Sequence, residues 1–389
     1  MPQTHHATIH TAPGLHGATM LRWFAASATM TVPQAAAPVA FSFVALATVG
    51  QASHGAAMVL AMTLAQVLGA IPITRMGRKF PVSAVLRVLI LFRTAALALI
   101  AIGMQSGLSF GVLVGLAALA GLVNGATYGY LRALLNALTS ESRMPRALGI
   151  AATLNETTFV LGPVLAAGVG AVSPAGAVAL MAILGGLPAL LVPAAAPADP
   201  VEEAGVSGAI LSAPIMLWLV CAAAGAASVA AIEIGAVALA LDFGYEPALA
   251  ILFTVPLCLA SVSGGLWISI RNRLSSRRAV VIQLALLSGG ITLTAAGGTL
   301  VTTILGAVIV GLMLAPLGTH YALVLDKLAP PHRRPEVFAL LRTSNALGII
   351  FASALLTLLP LHGALLAVTA AMWAATVLVG VRGHRAEPS

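Results

Sequence analysis

Apolar residues fall along this chain in blocks of about twenty, the length that crosses a hydrocarbon core as a helix. Twelve blocks can be read, near residues 21–48, 53–74, 82–104, 108–138, 146–172, 175–193, 214–241, 246–270, 279–297, 300–325, 336–359 and 363–381. Backbone N–H and C=O groups find no water in lipid, so each block has to satisfy them internally as a helix. The pattern therefore predicts an all-α membrane protein, a bundle of twelve transmembrane helices. Composition agrees: 60% of the 389 residues are apolar, 8% are charged and mean hydropathy is +1.03, too little polar surface to clothe a soluble globule.

The charged positions orient the bundle. All nineteen Lys and Arg residues lie in, or run inward from, the two termini and the even-numbered connections. The odd-numbered connections, around Ser53, Gln105, Ser173, Asp242, Gly298 and His362, hold none. Basic residues stay on the cytoplasmic side, so both termini are expected there, in a multi-pass protein of the cytoplasmic (inner) membrane. The formal charge of +8 is then a topology signal, and no nucleic-acid partner is expected. Cys221 and Cys258 sit inside apolar blocks and imply no disulfide framework. Residues 1–20, read as a cytoplasmic tail, lack the charged start and cleavage site of a signal peptide. His5, His6, His10 and His16 fit a solvated tail better than a metal site.

Polar residues inside the blocks are the candidate chemistry. Pro33, Gln34 and Pro38 mark the first helix as bent and polar at mid-depth, as in helices that line a cavity. Arg87 in the third is near enough to the helix end to snorkel. Arg93 lies about nine residues in and needs a carboxylate, a carbonyl or an anionic substrate group. Asn124, Tyr128 and Arg132 follow in the fourth helix, Asn155 in the fifth and His320 in the tenth. The eleventh carries Arg342, shallow enough to snorkel, and Asn345.

Eleven acidic residues are present, and nine lie in tails, connections or helix ends; Glu156 and Glu233 remain inside the hydrocarbon. A carboxylate there is costly and functional by default. Either could be neutral in one state and charged when water or a cation reaches it, as proton coupling requires. Glu156 lies about 15 Å along its helix from the turn at Pro145, near the midplane, and reads as a proton site, a cation site or both. Glu233, about eight residues from the far end of its helix, is a second candidate and a gate. The alternative for each is a static ion pair, for instance Glu156 with Arg93.

The second half of the chain echoes the first. At an offset of 190, Leu138 matches Leu328, Arg143-x-Pro145 matches Arg333-x-Pro335 and Asn155 matches Asn345, while Ala346 replaces Glu156. Residues 194–213, rich in Pro and acid, read as a linker between six helices (21–193) and six more (214–381), ahead of a tail at 382–389. In the connection after the second helix, Arg75, Gly77, Arg78 and Lys79 resemble the signature loop of the major facilitator superfamily. Thr74 stands at that loop's acid and Ala70 at its leading Gly. Gly162-Pro163 followed by Ala166-Ala167 resembles the Gly-Pro-x-x-Gly-Gly motif of facilitator antiporters. Glu233, between Gly225 and Asp242-Phe243-Gly244, looks like part of the seventh helix of bacterial facilitator efflux permeases. Gly121 stands where an Arg is frequent in the family. Two six-helix halves with internal echoes are the pattern of that fold.

The resemblance implies a secondary active transporter that moves a small organic compound by alternating access and, through the antiporter motif, exports it in exchange for protons. Uptake or uniport by the same fold is one alternative, favoured by Thr74 and Gly121. A non-transporting receptor or lipid-handling protein on the same scaffold is another. In this fold helices 1, 4, 5, 10 and 11 line the cavity, which makes Gln34, Asn124, Tyr128, Asn155, Glu156, His320 and Asn345 the candidate substrate contacts. Glu156 and Glu233 are the candidate proton-coupling residues, and Arg93, Arg75 and Arg78 the candidate ion-pairing or gating residues. Helix 3 is peripheral in the family, which sets Arg93 apart from substrate. No P-loop, nucleotide fingerprint, paired-His metal site or nucleophile constellation is present, so neither a cofactor nor an enzymatic activity is expected. A monomer is the family default.

Overall fold

The structure is a computed structural model and describes residues 13–51, 54–193, 212–272, 276–330 and 333–382. Residues 194–211 of the linker and His5, His6 and His10 lie outside the described residues, as does the side chain of His16.

Among the described residues, twelve helices are long and apolar enough to cross a membrane: α1 (Gly17–Val49), α2 (Gly55–Lys79), α3 (Val82–Gln105), α4 (Phe110–Leu138), α5 (Met144–Val172), α6 (Pro174–Leu191), α7 (Ala213–Asp242), α8 (Ile251–Arg271), α9 (Arg278–Ala296), α10 (Leu300–Leu328), α11 (Arg334–Leu358) and α12 (Leu361–Val381). They follow the apolar blocks in number and order, and local chemistry sets their ends. Pro145, Pro174, Pro214 and Pro335 stand in the first turns of α5, α6, α7 and α11, where the missing N–H would be unpaired anyway. Ser173 accepts from the Gly176 N–H to start α6, and Thr299 with Thr302 forms a capping box at α10. At the C-terminus of α6, Arg87 donates to the Val192 carbonyl (2.9 Å) and Arg22 to that of Leu190 (3.1 Å). Cations are favourable there, opposite the negative end of the helix dipole.

Helices α1–α6 pack into one bundle and α7–α12 into a second, with matching neighbours. α1 lies on α5 and α6 as α7 lies on α11 and α12, and α2 lies on α4 as α8 lies on α10. The closest approaches repeat as well. Gly69 of α2 faces the Leu122 carbonyl and Gly121 of α4 faces that of Met62; in the second bundle Gly264 faces Leu312 and Gly311 faces Leu257. None of the four has room for a Cβ. The offset is 190 between α4 and α10 (Gly121 to Gly311) and 195 between α2 and α8 (Gly69 to Gly264). The seat of Gly121 on the Met62 backbone is the physical reason that no arginine occupies this position.

Arg93, 3% exposed, ties α3 to three other helices by donating to the Met30 carbonyl (3.1 Å), Asn124 Oδ1 (3.1 Å) and the Gly185 carbonyl (2.9 Å). Backbone and amide oxygens serve as its partners, so the static Glu156–Arg93 pair raised as an alternative does not form.

Candidate substrate cavity and gate

The even-numbered connections form one end of the molecule, the basic end. The hydrogen bonds and ion pairs that join the two bundles lie between it and mid-membrane. Arg75 (3.3 Å) and Arg78 (3.6 Å), at the end of α2, converge on Glu336 in the first turn of α11, whose side chain is fully buried. Arg333 joins them at 3.4 Å. Asn136 of α4 donates to Asp326 of α10, exactly one repeat of 190 residues away, so this pair sits where the two halves are related to each other. Arg132 donates to Asn136 and lies over the Phe338 ring at 4.7 Å, while Arg334 approaches Asp326 at 3.4 Å.

On the other flank, Asn272 ends α8 in the left-handed conformation (φ 44°). It donates to the Ser142 carbonyl (2.9 Å) and accepts from the Arg146 N–H (2.9 Å). Helix α5 has no side-chain cap of its own, so its N-terminus is completed from the opposite bundle. Gly129 against Pro335 and Gly149 against Ser269 bring backbone to backbone. The basic end is closed.

Arg342 stands above this closure. It donates to Gln34 of α1 and lies 5.7 Å from the Tyr128 ring centroid, both in the other bundle. Snorkelling, expected from its depth, is corrected here: an amide oxygen and an aromatic face hold the guanidinium at the interface. Glu156 is half-buried on α5, with the side chains of Asn155 and of Ser261 on α8 beside its carboxyl. Glu233 on α7 is exposed, its charge is within electrostatic reach of Glu156, and Cys258 of α8 is within reach of both. Two carboxylates from opposite bundles thus lie within electrostatic reach of each other. Neither takes part in the ion pairs among the described residues. On α7, a recess of about 290 Å³ opens between Ile234, Gly235 and Ala238 and, on α11, Ser353, Leu356 and Thr357.

The structure therefore sorts the sequence candidates into groups. Glu156, Asn155 and Glu233 come together. Gln34 and Tyr128 meet around Arg342, and Asn124 is committed to Arg93. Asn345 is half-buried on α11. His320 is buried inside the second bundle against Trp218 (5.0 Å between ring centroids) and Tyr321. Arg75 and Arg78 lie at the closure. Sequence reasoning did not single out Glu336, Asp326, Asn136, Asn272 or Ser261. The offset of 190 was a signal for Asn136 with Asp326; the contacts of Asn272 span 126 and 130 residues and left none.

Residues 18–353 match the Major Facilitator Superfamily, and the chain belongs to that family. Comparison with curated proteins by sequence finds no match. Among solved structures, the chain is similar to a bacterial homologue of the iron transporter ferroportin in its outward-facing state, at 15% identity and a TM-score of 0.77, covering 95% of this chain and 100% of that one. It is also similar to FucP in the outward conformation (12%, TM-score 0.72, covering 94% and 99%). The human organic anion transporter MFSD10 is a third (14%, TM-score 0.70, covering 95% and 100%). At these identities the likeness shows the fold, a transporter fold of twelve helices in a multi-pass membrane protein.

Proposed function

We propose that this transporter exports a small organic cation in exchange for protons, with Glu156 and Glu233 as the sites for which the two compete. The observation that carries the reading is two carboxylates from opposite bundles, within electrostatic reach of each other, that take part in none of the ion pairs among the described residues. Neighbours that handle an iron, a sugar or an organic anion have the same fold, so fold does not select substrate; the charges at the site do. Arg93 and Arg342, cations inside the membrane-spanning helices, are spent on oxygens of the protein itself. A cation or two protons would neutralise the carboxylates.

The same charges supply a coupling device. Two anions in one low-dielectric cavity repel, which opposes closure of the open end while both are ionised. Neutralisation by protons or by substrate removes that opposition, so binding biases the alternation. In this reading the basic end, with its linker and both termini, is cytoplasmic in the inner membrane. The cavity opens outward, and the monomer is the working unit.

The test uses protein in liposomes, with the permanent cation tetraphenylphosphonium, a neutral analogue of the same size and Mn²⁺ as probes, and a pH-sensitive dye to follow protons. Proton movement driven by the organic cation is expected, abolished in Glu156→Gln and weakened in Glu233→Gln. Unchanged coupled flux in Glu156→Gln would sink the reading. Transport of the neutral analogue or of Mn²⁺ in preference would reject the substrate class.

A further inference from the structure

Halves related by a repeat solve the same packing problem alike, and at one place these two do not. Trp23 of α1 and Trp218 of α7 are 195 residues apart. The same offset relates Ala28, whose carbonyl accepts from Thr158, to Ala223, whose carbonyl faces Gly348. At the offset of 190 that holds for α4 and α10, Tyr130 corresponds to His320 and Leu131 to Tyr321.

In the first bundle the polar atoms of this group are paired inside the protein. Trp23 Nε1 donates to the Leu131 carbonyl (3.0 Å) and the Tyr130 hydroxyl to that of Thr74 (2.7 Å). In the second, Trp218 Nε1, both ring nitrogens of His320 and the Tyr321 hydroxyl have no hydrogen-bond partner among the described residues. Burial does not explain the difference. Trp23 and Tyr130 are 2% and 1% exposed, and Trp218, His320 and Tyr321 are 3%, 5% and 5%.

The three unpaired side chains form one group, with ring centroids 5.0 Å (Trp218–His320), 5.8 Å (Trp218–Tyr321) and 6.5 Å (His320–Tyr321) apart. A buried polar atom left unmet at membrane depth costs several kcal/mol, and native proteins leave such atoms where water or a ligand meets them. The indole only donates, the phenol donates and accepts, and a neutral imidazole does one at each nitrogen. Among the described residues, the titratable side chain in electrostatic reach of Tyr321 is the Cys221 thiol. Mixed donors and acceptors at this spacing, with no charge among them, fit an uncharged molecule that both donates and accepts over a short reach. Two to four such partners are what a buried water takes.

We infer that α7 and α10 enclose a water-binding site at Trp218, His320 and Tyr321, which the first bundle lacks. It lies inside the second bundle toward the basic end and is independent of the substrate chemistry proposed for Glu156 and Glu233. His320 is a ligand to that water and not to the transported compound.

Hydroxyl-radical labelling by X-ray pulses tests this on the full chain in nanodiscs, read residue by residue in a mass spectrometer, because a bound water generates radicals next to the side chains that hold it. Trp218 and Tyr321 are expected to oxidise several-fold faster than Trp23 and Tyr130, which match them in type and burial. Equal rates overturn the proposal. Thermal unfolding of Tyr321→Phe is a second reading: loss of a water ligand lowers the melting temperature, whereas removal of an orphaned hydroxyl leaves it unchanged or raises it. Either of the latter results also overturns the proposal.

Discussion

At the scale of single residues, Arg93 and Glu156 show two outcomes for a charge in the hydrocarbon. Both stand about halfway along their helices. Arg93 reaches three oxygens on three helices through its two terminal nitrogens; Glu156 has Ser261 of the other bundle beside its carboxyl. The sequence shows that each needs a partner, but the partner depends on helix rotation, which no local pattern encodes. Arg93→Met leaves buried acceptors unmet at about 1–3 kcal/mol each. It is expected to lower the melting temperature by several degrees, while flux per folded molecule stays at the wild-type value. Thermal unfolding alongside flux normalised to folded protein measures both. Flux that falls further than the folded fraction would return Arg93 to the cavity.

At the scale of elements, number, order and approximate ends of the helices were legible because each block carries its own length, proline and turn residues. The gate was not legible. Its cross-bundle bonds join residues 126 to 308 positions apart, and a short amide such as Asn272 looks like any loop residue until its αL backbone aims it at α5. Asn272→Ala removes two cross-bundle hydrogen bonds, each worth about 0.5–1.5 kcal/mol, and adds strain at a positive φ. Asn272→Gly removes the same bonds but relieves the backbone. Both variants are expected to shift the equilibrium toward an open basic end by roughly 5–30-fold, the factor for one to two kcal/mol. Distances between spin labels on α5 and α8 at that end report the shift. A shift confined to the alanine variant would assign the effect to backbone strain and remove the side-chain cap from the gate.

At the scale of the whole molecule, the repeat gives two surfaces that can meet at either end, and the described state has spent its polar contacts at one of them. Glu336, under three arginines, and Asp326, between Asn136 and Arg334, hold the basic end, while Glu156 and Glu233 take part in none of the ion pairs among the described residues. Of the two native cysteines, Cys258 reports on the region of Glu156 and Glu233. Cys258 is within electrostatic reach of Glu156 and Glu233 and is partly exposed, whereas Cys221 is buried, within electrostatic reach of Tyr321. Glu336→Gln combined with Asp326→Asn removes the carboxylates of the closure and is expected to favour the state open at the basic end. A small methanethiosulfonate added from the far side should then modify Cys258 several-fold more slowly than in the wild type. The comparison is of one thiol between two states, so its intrinsic reactivity cancels. The same double variant carrying Cys258→Ser supplies the blank. If the Cys258 rate is indifferent to the gate while spin labels show the basic end open, the two ends are not coupled. The fold would then serve as a static scaffold, and alternating access would be rejected for this chain.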